Sequence, residues 1–152
     1  MRREPRRKPT DEFDSTILDL ARVTRVTKGG KHLRFRACIG LGDKKGRLGI
    51  GVAKGNDVSA AVEKAKTQAK KNLIMVPILD GTIPHTIDVK FKAAKIFMKP
   101  AASGVGVKAG GVVRILCNLA GITDISAKIL GSKSKINNAK AVMKAFGNFI
   151  GD

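Results

Sequence analysis

Hydrophobic and polar residues alternate strictly over residues 32–41, which is the period of a β-strand with one buried face. The apolar positions are Leu33, Phe35, Ala37, Ile39 and Leu41, and the positions between them are His32, Arg34, Arg36, Cys38 and Gly40. One face of this strand is expected to pack and the other to be basic. A second strand follows, with Leu48, Ile50 and Val52 expected to point inward and Arg47, Gly49, Gly51 and Ala53 outward.

Glycine-rich turns flank the first of these two strands. Gly29-Gly30 leads into it, and residues 42–46 (GDKKG) lead out of it, so both stretches favour hairpins. The two turns are expected to present the cations Lys28, Lys31, Lys44, Lys45 and Arg47. Strands hold charges at fixed spacing, which suits the regular phosphates of a folded RNA, so the pattern predicts an RNA-binding sheet.

An earlier strand is predicted over residues 16–26, and a helix follows the three strands. Asn56 or Asp57 is the predicted N-cap, and apolar residues recur at helical spacing as Val58, Ala61, Val62, Ala65, Ala69 and Leu73. This apolar stripe is expected to cover the apolar side of the sheet. Pro77 and the turn-rich run to Pro84 then indicate a boundary, because proline interrupts both ladders and helices.

The second half of the chain predicts strand, strand, helix, strand, helix. The strands are expected at residues 87–91, 95–98 and 125–129, and the first helix at residues 112–120, ended by Gly121. The last helix carries Ala139, Val142, Met143, Phe146 and Phe149 on one stripe. The expected domains are a basic tail at residues 1–14, which either lies along phosphates or is simply solvated, and two folded domains at residues 15–79 and 80–152.

Composition favours a polyanionic partner. Thirty Lys and Arg against twelve Asp and Glu give a formal net charge of +18, and 43% hydrophobic residues still allow a buried core. No apolar run approaches the roughly 20 residues of a membrane span, and residues 1–9 lack the apolar segment of a secretory signal. Cys38 and Cys117 have no metal-ligand spacing, so they are expected to be free thiols in a reducing cytosol.

A glycine-rich run beginning at Gly104 and Gly106 superficially matches a dinucleotide-binding fingerprint, with Asp124 following at a suitable distance. The context does not fit, because Asp124 precedes the next strand instead of closing it. Glycines before a helix can still offer N–H groups to an RNA phosphate or to a carboxylate of a neighbouring protein. The alternative is a tight structural turn.

Other chemistry finds little support in the sequence. There is no phosphate-binding GxxxxGK[ST] loop, and His32 and His85 are isolated, so neither a cofactor nor a metal site is expected. Residues 45–52 resemble the strand motif of single-strand RNA binders, but Leu48 and Ile50 stand where aromatic residues are needed. The remaining option is recognition of structured RNA through its backbone and groove shape.

Several blocks of the chain resemble one known family, the fifth ribosomal protein of the bacterial small subunit. The blocks are residues 22–31 (RVTRVTKGGK), 42–51 (GDKKGRLGIG), 58–72, 99–114 (KPAASGVGVKAGGVVR), 120–122, 127–128 and 131–132. They occur in the order of the family and extend over most of the chain.

The resemblance implies an α+β protein. Its N-terminal domain would be a three-stranded antiparallel sheet plus a helix, similar to double-stranded-RNA-binding domains, and its C-terminal domain a small α/β unit with a left-handed βαβ crossover. The implied function is that of a structural constituent of the small (30S) subunit, in a cytoplasmic or organellar ribosome. It would bind 16S rRNA, contact the fourth and eighth small-subunit proteins, and contribute to subunit assembly, the mRNA entrance and decoding accuracy.

Site residues follow from the basic strands and from the resemblance. The expected RNA-binding residues are Arg22, Arg25, Lys28, Gly29, Gly30, Lys31, Arg34, Arg36, Lys44, Lys45, Arg47, Lys54, Lys99, Lys108, Lys133 and Lys135. The expected protein-interface residues are Gly104, Gly106 and Arg114. Two other functions remain open from sequence: a small nucleotide-using enzyme with a related second domain, and a free double-stranded-RNA-binding regulator.

Overall fold

Two β-sheets and three α-helices form the part of the chain that the computed structural model describes, residues 13–149. Most of the predicted basic tail, residues 1–12, lies outside the described residues. The two sheets correspond to the two halves expected from sequence, an antiparallel sheet with a helix followed by a mixed α/β unit. The expected α+β fold class is therefore confirmed.

The first sheet has the strand order β1-β2-β3-β4 and is antiparallel throughout. Its strands are β1 (Asp14–Thr27), β2 (Gly30–Gly42), β3 (Arg47–Gly55) and the short β4 (Ile74–Met75), which was not predicted. Helix α1 (Val58–Lys71) follows β3, and Asp57 is its N-cap, accepting a 2.7 Å hydrogen bond from the Ala60 N–H. A register shift near Ile17 allows β1 to bend.

Helix α1 packs on the glycine side of β3, which corrects the predicted orientation of that strand. Ile39 lies opposite Gly51 in the β2–β3 ladder, so both residues share the face that carries Ala61 and Ala65. A Cβ atom at Gly51 would lie 2.0 Å from the Ala65 carbonyl oxygen, so only glycine admits the helix backbone this closely. Gly49 and Gly51, which were expected to point outward, are therefore buried under the helix, whereas Ala53 is half-buried and Arg47 is partly exposed.

The second sheet has the order β5-β6-β8-β7. Its strands are β5 (Ile87–Phe91), β6 (Ala94–Pro100), β7 (Val107–Lys108) and β8 (Ile125–Ile129), of which the two-residue β7 was not predicted. Strands β7 and β8 are parallel neighbours joined through α2 (Gly111–Ala120), which gives the βαβ connection. Helix α2 ends at Gly121 in the left-handed conformation (φ 93°), as predicted, and α3 (Lys135–Asn148) completes the unit.

One apolar core joins the two halves. Leu48 and Ile50 of the first sheet pack in the same cluster as Leu116 of α2 and Phe146 of α3. The turn between β2 and β3 also bonds to the end of α2, through Lys44 N–H to the Leu119 carbonyl and Gly46 N–H to the Ala120 carbonyl, both at 2.9 Å. The first sheet is thus covered by α1 on one face and by the second half on the other.

This second cover corrects the predicted basic face of β2. Cys38 and Gly40 belong to that face by alternation, yet both are buried, and a Cβ atom on Gly40 would contact Leu116 and Leu119 of α2. Only the half of the face nearer the β1–β2 turn remains open. Burial also raises the pKa of the Cys38 thiol to about 11 and that of Cys117 to about 12, and both thiols are free.

Candidate nucleic-acid interface

The open half of the first sheet carries a group of cations on rigid strands. We call it the distal face, and it consists of Arg25, His32, Arg34 and Lys54. Its members come from three adjacent strands: Arg25 lies opposite His32, and Arg34 opposite Val23. They surround a depression of about 140 Å³. The structure thus brings together three of the predicted RNA-binding residues and adds His32, which the strand alternation had placed on the same side.

Arg36 lies at the inner border of the distal face. Its guanidinium Nη2 is 3.8 Å from Asp19 Oδ2, and its buried Nε has no hydrogen-bond partner within residues 13–149. An arginine in this position has one edge towards the core and only part of its side chain exposed. Its charge contributes to the distal face, but its geometry is set by Asp19.

The tip of the first hairpin is fully exposed. It contains Lys28, Gly29 and Gly30, and Gly30 has a φ of 129°, which L-residues rarely adopt. Lys31 lies beside this tip and Arg22 farther along β1, both on the sheet face opposite the distal face, because Lys31 pairs with Val26 and Arg22 with Phe35. The predicted hairpin cations therefore divide between two faces and a tip.

The second turn lies at the other end of β2, so it is not part of this group. A 13-residue strand is about 40 Å long, which separates Lys44 and Lys45 from the hairpin tip. Arg47 is held by Asp43 (Nε to Oδ2, 2.7 Å) and lies over the Phe13 ring at 4.8 Å. Burial alone would raise the pKa of Asp43, but hydrogen bonds from Arg47 and the Lys45 N–H lower it overall.

The glycine-rich loop before α2 binds a carboxylate of the same chain. The N–H groups of Gly104 and Gly106 donate to Asp124 Oδ1 at 3.1 and 2.9 Å, and the Thr123 hydroxyl donates to Oδ2 at 3.0 Å. Both glycines have positive φ values, 88° and 81°. An internal carboxylate thus occupies these N–H groups. This arrangement corresponds to the tight structural turn that the sequence offered as the alternative to an external anion site.

Asp124 ties this loop to the start of β8. The Gly106 N–H lowers the pKa of its carboxyl most, burial opposes this, and Thr123 and Gly104 lower it further. A carboxyl whose pKa is depressed on folding stabilises the fold above its unfolded pKa of about 4, and that contribution is lost as the pH falls through the folded value.

We therefore expect Asp124→Asn to lower the midpoint of thermal unfolding by several degrees at pH 7, and to flatten the loss of stability below pH about 4. The measurement is thermal unfolding between pH 7 and 3, followed by circular dichroism. Asp88→Asn, which removes an exposed carboxylate of β5, is the matched control and should shift the midpoint little. Identical curves for Asp124→Asn and the parent chain would show that the loop does not depend on this charge.

A groove of about 660 Å³ runs beside the exposed side of α2. Lys44, Arg114 and Asn118 line it, together with residues of the loop after the helix. Lys44 Nζ lies 3.6 Å from Asp14, and both side chains are exposed. Arg114, a predicted interface residue, is therefore accessible beside a concave surface, and Gly104 and Gly106 lie in the loop preceding the same helix.

The remaining predicted cations belong to the second half. Lys99 and Lys108 lie on one face of the second sheet, on either side of Ser126, while Lys133 and Lys135 are at the start of α3. All four side chains are exposed. Among residues 13–149 there is no cluster of His, Cys, Asp and Glu able to hold a metal ion, and no helix there is long and apolar enough to cross a membrane.

Comparison with known proteins gives two family matches in chain order. Residues 13–77 match ribosomal protein S5, N-terminal domain, and residues 89–149 match ribosomal protein S5, C-terminal domain. The chain is 48% identical to small ribosomal subunit protein uS5c of Emiliania huxleyi, over 90% of this chain and 87% of that protein.

Two bacterial relatives agree with the family matches. Small ribosomal subunit protein uS5 of Thermus thermophilus is 46% identical, over 90% of this chain and 85% of the relative. The uS5 protein of Thermotoga maritima is 43% identical, over 92% and 79% respectively. The chain therefore belongs to the ribosomal protein S5 family and is a structural protein of the small ribosomal subunit, not an enzyme.

Proposed function

We propose that this chain binds 16S rRNA through the distal face and the adjacent hairpin tip, and that this contact drives its incorporation into the small subunit during assembly. The observation that supports the proposal is the distal face itself. Arg25, Arg34 and Lys54 are exposed on adjacent strands, and the carboxylate of Asp19 is engaged by Arg36. Phosphates are the natural partner of such a surface.

The side chains of the distal face favour double-stranded over single-stranded RNA as the ligand. Its cations stand on a sheet that is fixed on both sides by packed helices, and its members include no Phe, Tyr or Trp. Such a surface suits the backbone and groove of a folded helix better than unstacked bases. Lys44, Lys45, Lys133 and Lys135 are proposed to reach separate rRNA segments, since they lie away from the distal face.

We further propose that the exposed groove beside α2 contacts the fourth small-subunit protein, through Arg114 and the loop of Gly104 and Gly106. The groove is concave and carries two cations, so an acidic segment of a protein neighbour would complement it. Contact with the eighth protein, a position at the mRNA entrance and an influence on decoding accuracy are proposed on the resemblance to the family.

A triple substitution tests the rRNA proposal. We expect Arg25→Ala, Arg34→Ala and Lys54→Ala together to weaken binding to a 16S rRNA fragment, and to reduce the slope of log affinity against log salt by about 3, because each lost phosphate contact removes about 1. Filter binding at several salt concentrations measures both quantities, and sedimentation with reconstituted 30S particles measures incorporation.

The matched control removes the same charge from helix α1. Lys64→Ala, Lys70→Ala and Lys71→Ala together delete three exposed cations and should leave the slope nearly unchanged. If both triple variants lose the same slope, the distal face has no special role and binding reflects net charge alone. If the parent chain binds RNA but does not sediment with subunits, a free RNA-binding regulator becomes the better description.

A further inference from the structure

No helix within residues 13–149 covers the outer side of the second sheet. Along β6, Ile96 and Met98 are fully buried and face α2 and α3 in the shared core. Phe97 lies between them, so its side chain is on the opposite face, where it is half-buried. This aromatic ring therefore stands in the central region of the solvent-facing side of the sheet, and the described part of the chain places no packing layer above it.

Lysines surround this ring. Phe97 lies opposite Lys128 on β8, and Lys95 and Lys99 lie on the same face of β6, two residues to either side. We call this surface the outer face, and it consists of Lys90, Lys95, Phe97, Lys99 and Lys128. All four lysines are exposed. The strands described here contribute one acid to this face, Asp88, which lies opposite Phe97 on β5, so the lysines outnumber it.

Two of these lysines oppose each other. Lys90 and Lys95 form a cross-strand pair one position before the end of the β5–β6 ladder, an arrangement that costs stability when both side chains are charged. Within residues 13–149, no ion pair neutralises Lys95, Lys99 or Lys128. A bound polyanion would relieve this repulsion, whereas a solvated surface without a partner would not.

The aromatic and cation–π contacts found among residues 13–149 involve rings other than that of Phe97. In the described part of the chain the Phe97 ring has neither an aromatic neighbour nor a cation above it. Phe91 differs, because it packs against the core and has the ammonium groups of Lys92 and Lys140 at 5.7 and 6.0 Å from its centroid. A flat, partly exposed ring among cations is the combination used to bind unpaired nucleotides.

We propose that the outer face binds unpaired nucleotides of rRNA, with one base stacked on Phe97 and the neighbouring phosphates held by Lys95, Lys99 and Lys128. This inference rests on the proposed function in taking rRNA as the ligand, and it adds a second site that reads a different form of RNA. The distal face has cations without a phenyl ring among them and suits a duplex. The outer face has a ring within its cations and suits a single strand.

Three variants of one residue separate stacking from apolar contact. Phe97→Ala removes the ring and its apolar area, Phe97→Leu keeps apolar bulk without a flat ring, and Phe97→Tyr keeps the ring. The probe is a single-stranded oligoribonucleotide containing 2-aminopurine, whose fluorescence falls on stacking, and the full chain is titrated at low salt. A blunt RNA duplex is the second probe, and thermal unfolding confirms that each variant is folded.

We expect Phe97→Ala to weaken single-strand binding by about 5- to 150-fold, the range measured for loss of one stacked base. Phe97→Leu should also lose the fluorescence change, Phe97→Tyr should retain it, and all three should bind the duplex like the parent chain. Because Phe97→Leu preserves apolar packing, it keeps the test valid even if Phe97→Ala fails to fold.

Other outcomes overturn the inference in recognisable ways. Unchanged single-strand binding in Phe97→Leu and Phe97→Ala would reject the stacking site, while intact duplex binding would leave the proposed function standing. If Phe97→Ala reduces incorporation into 30S particles and Phe97→Leu does not, with single-strand affinity unaltered, the outer face contacts an apolar surface of a protein instead. If the parent chain binds neither the single-stranded probe nor the duplex, both proposals are rejected.

Discussion

Raising the salt concentration from about 50 to about 200 mM should weaken binding of this chain to a 16S rRNA fragment by roughly 10³- to 10⁵-fold, if it makes about six to ten phosphate contacts. The reason is that each contact releases condensed counterions, and their release becomes less favourable as bulk salt rises. The formal charge of +18 and the exposed cations on both sheets supply enough partners for contacts of this number. Equilibrium filter binding across this salt range measures the effect.

The variant Arg25→Ala with Arg34→Ala and Lys54→Ala serves as the internal standard for this curve, since its slope should be shallower. A non-ribosomal RNA duplex of equal length shows how much of the affinity is independent of sequence. An affinity for the rRNA fragment that does not change with salt would contradict a phosphate-based interface altogether.

Gly51→Ala should destabilise the chain by about 3 kcal/mol or more, the upper part of the range for overpacking. The new Cβ atom would lie 2.0 Å from the Ala65 carbonyl oxygen and 2.7 Å from the Ala69 nitrogen. Both atoms belong to the backbone of α1, so no side chain can rotate away and the whole helix has to move. For a chain of this size we expect the thermal midpoint to fall by about 6–12 °C.

Gly147→Ala is the control for this substitution. Gly147 is in α3, and a Cβ atom there would have no neighbour within 4 Å. Alanine should therefore stabilise the helix by about 0.5–1 kcal/mol, because glycine loses more backbone entropy on folding. Both variants can be compared by urea unfolding. A Gly51→Ala chain as stable as the parent would mean that α1 does not approach β3 as closely as described.

Element types could be predicted well wherever side chains carry a clear period. The alternation at residues 32–41 indicated β2, the alanine-rich stripe from Ala61 to Ala69 indicated α1, and Gly121 indicated the end of α2. Strands β4 and β7 have two residues each, which is too short for any period to show. They exist because neighbouring strands offer them a ladder.

The direction of the β3 faces could not be predicted, because glycine has no side chain to mark a buried position. Gly49 and Gly51 looked solvent-facing beside Leu48 and Ile50, but the helix requires their lack of Cβ atoms. The two-sided burial of the first sheet depends on the second half of the chain, and local alternation contains no information about that contact.

The sequence predicted which cations belong to the candidate site, but it did not predict which of them lie together. Sequence identified Arg25, Arg34 and Lys54 individually, and the ladder register brings them together on the distal face. Phe97 could not be recognised as a site residue from the sequence, because it stands within the apolar run of residues 96–98. Burial of Ile96 and Met98 in the structure shows that Phe97 lies on the opposite face of the sheet. The Asp124 contact with Gly106 joins residues too distant in sequence for spacing to reveal.

The core shared by both halves has a consequence for biosynthesis. Leu48 and Ile50 emerge from the exit tunnel long before Leu116 and Phe146 have been translated. Their hydrophobic side chains therefore remain exposed to solvent while the polypeptide elongates. The nascent first half would accordingly remain only loosely ordered and prone to aggregation until α2 and α3 have been synthesised. A premature stop before residue 111 should thus yield an insoluble fragment, not an autonomous module.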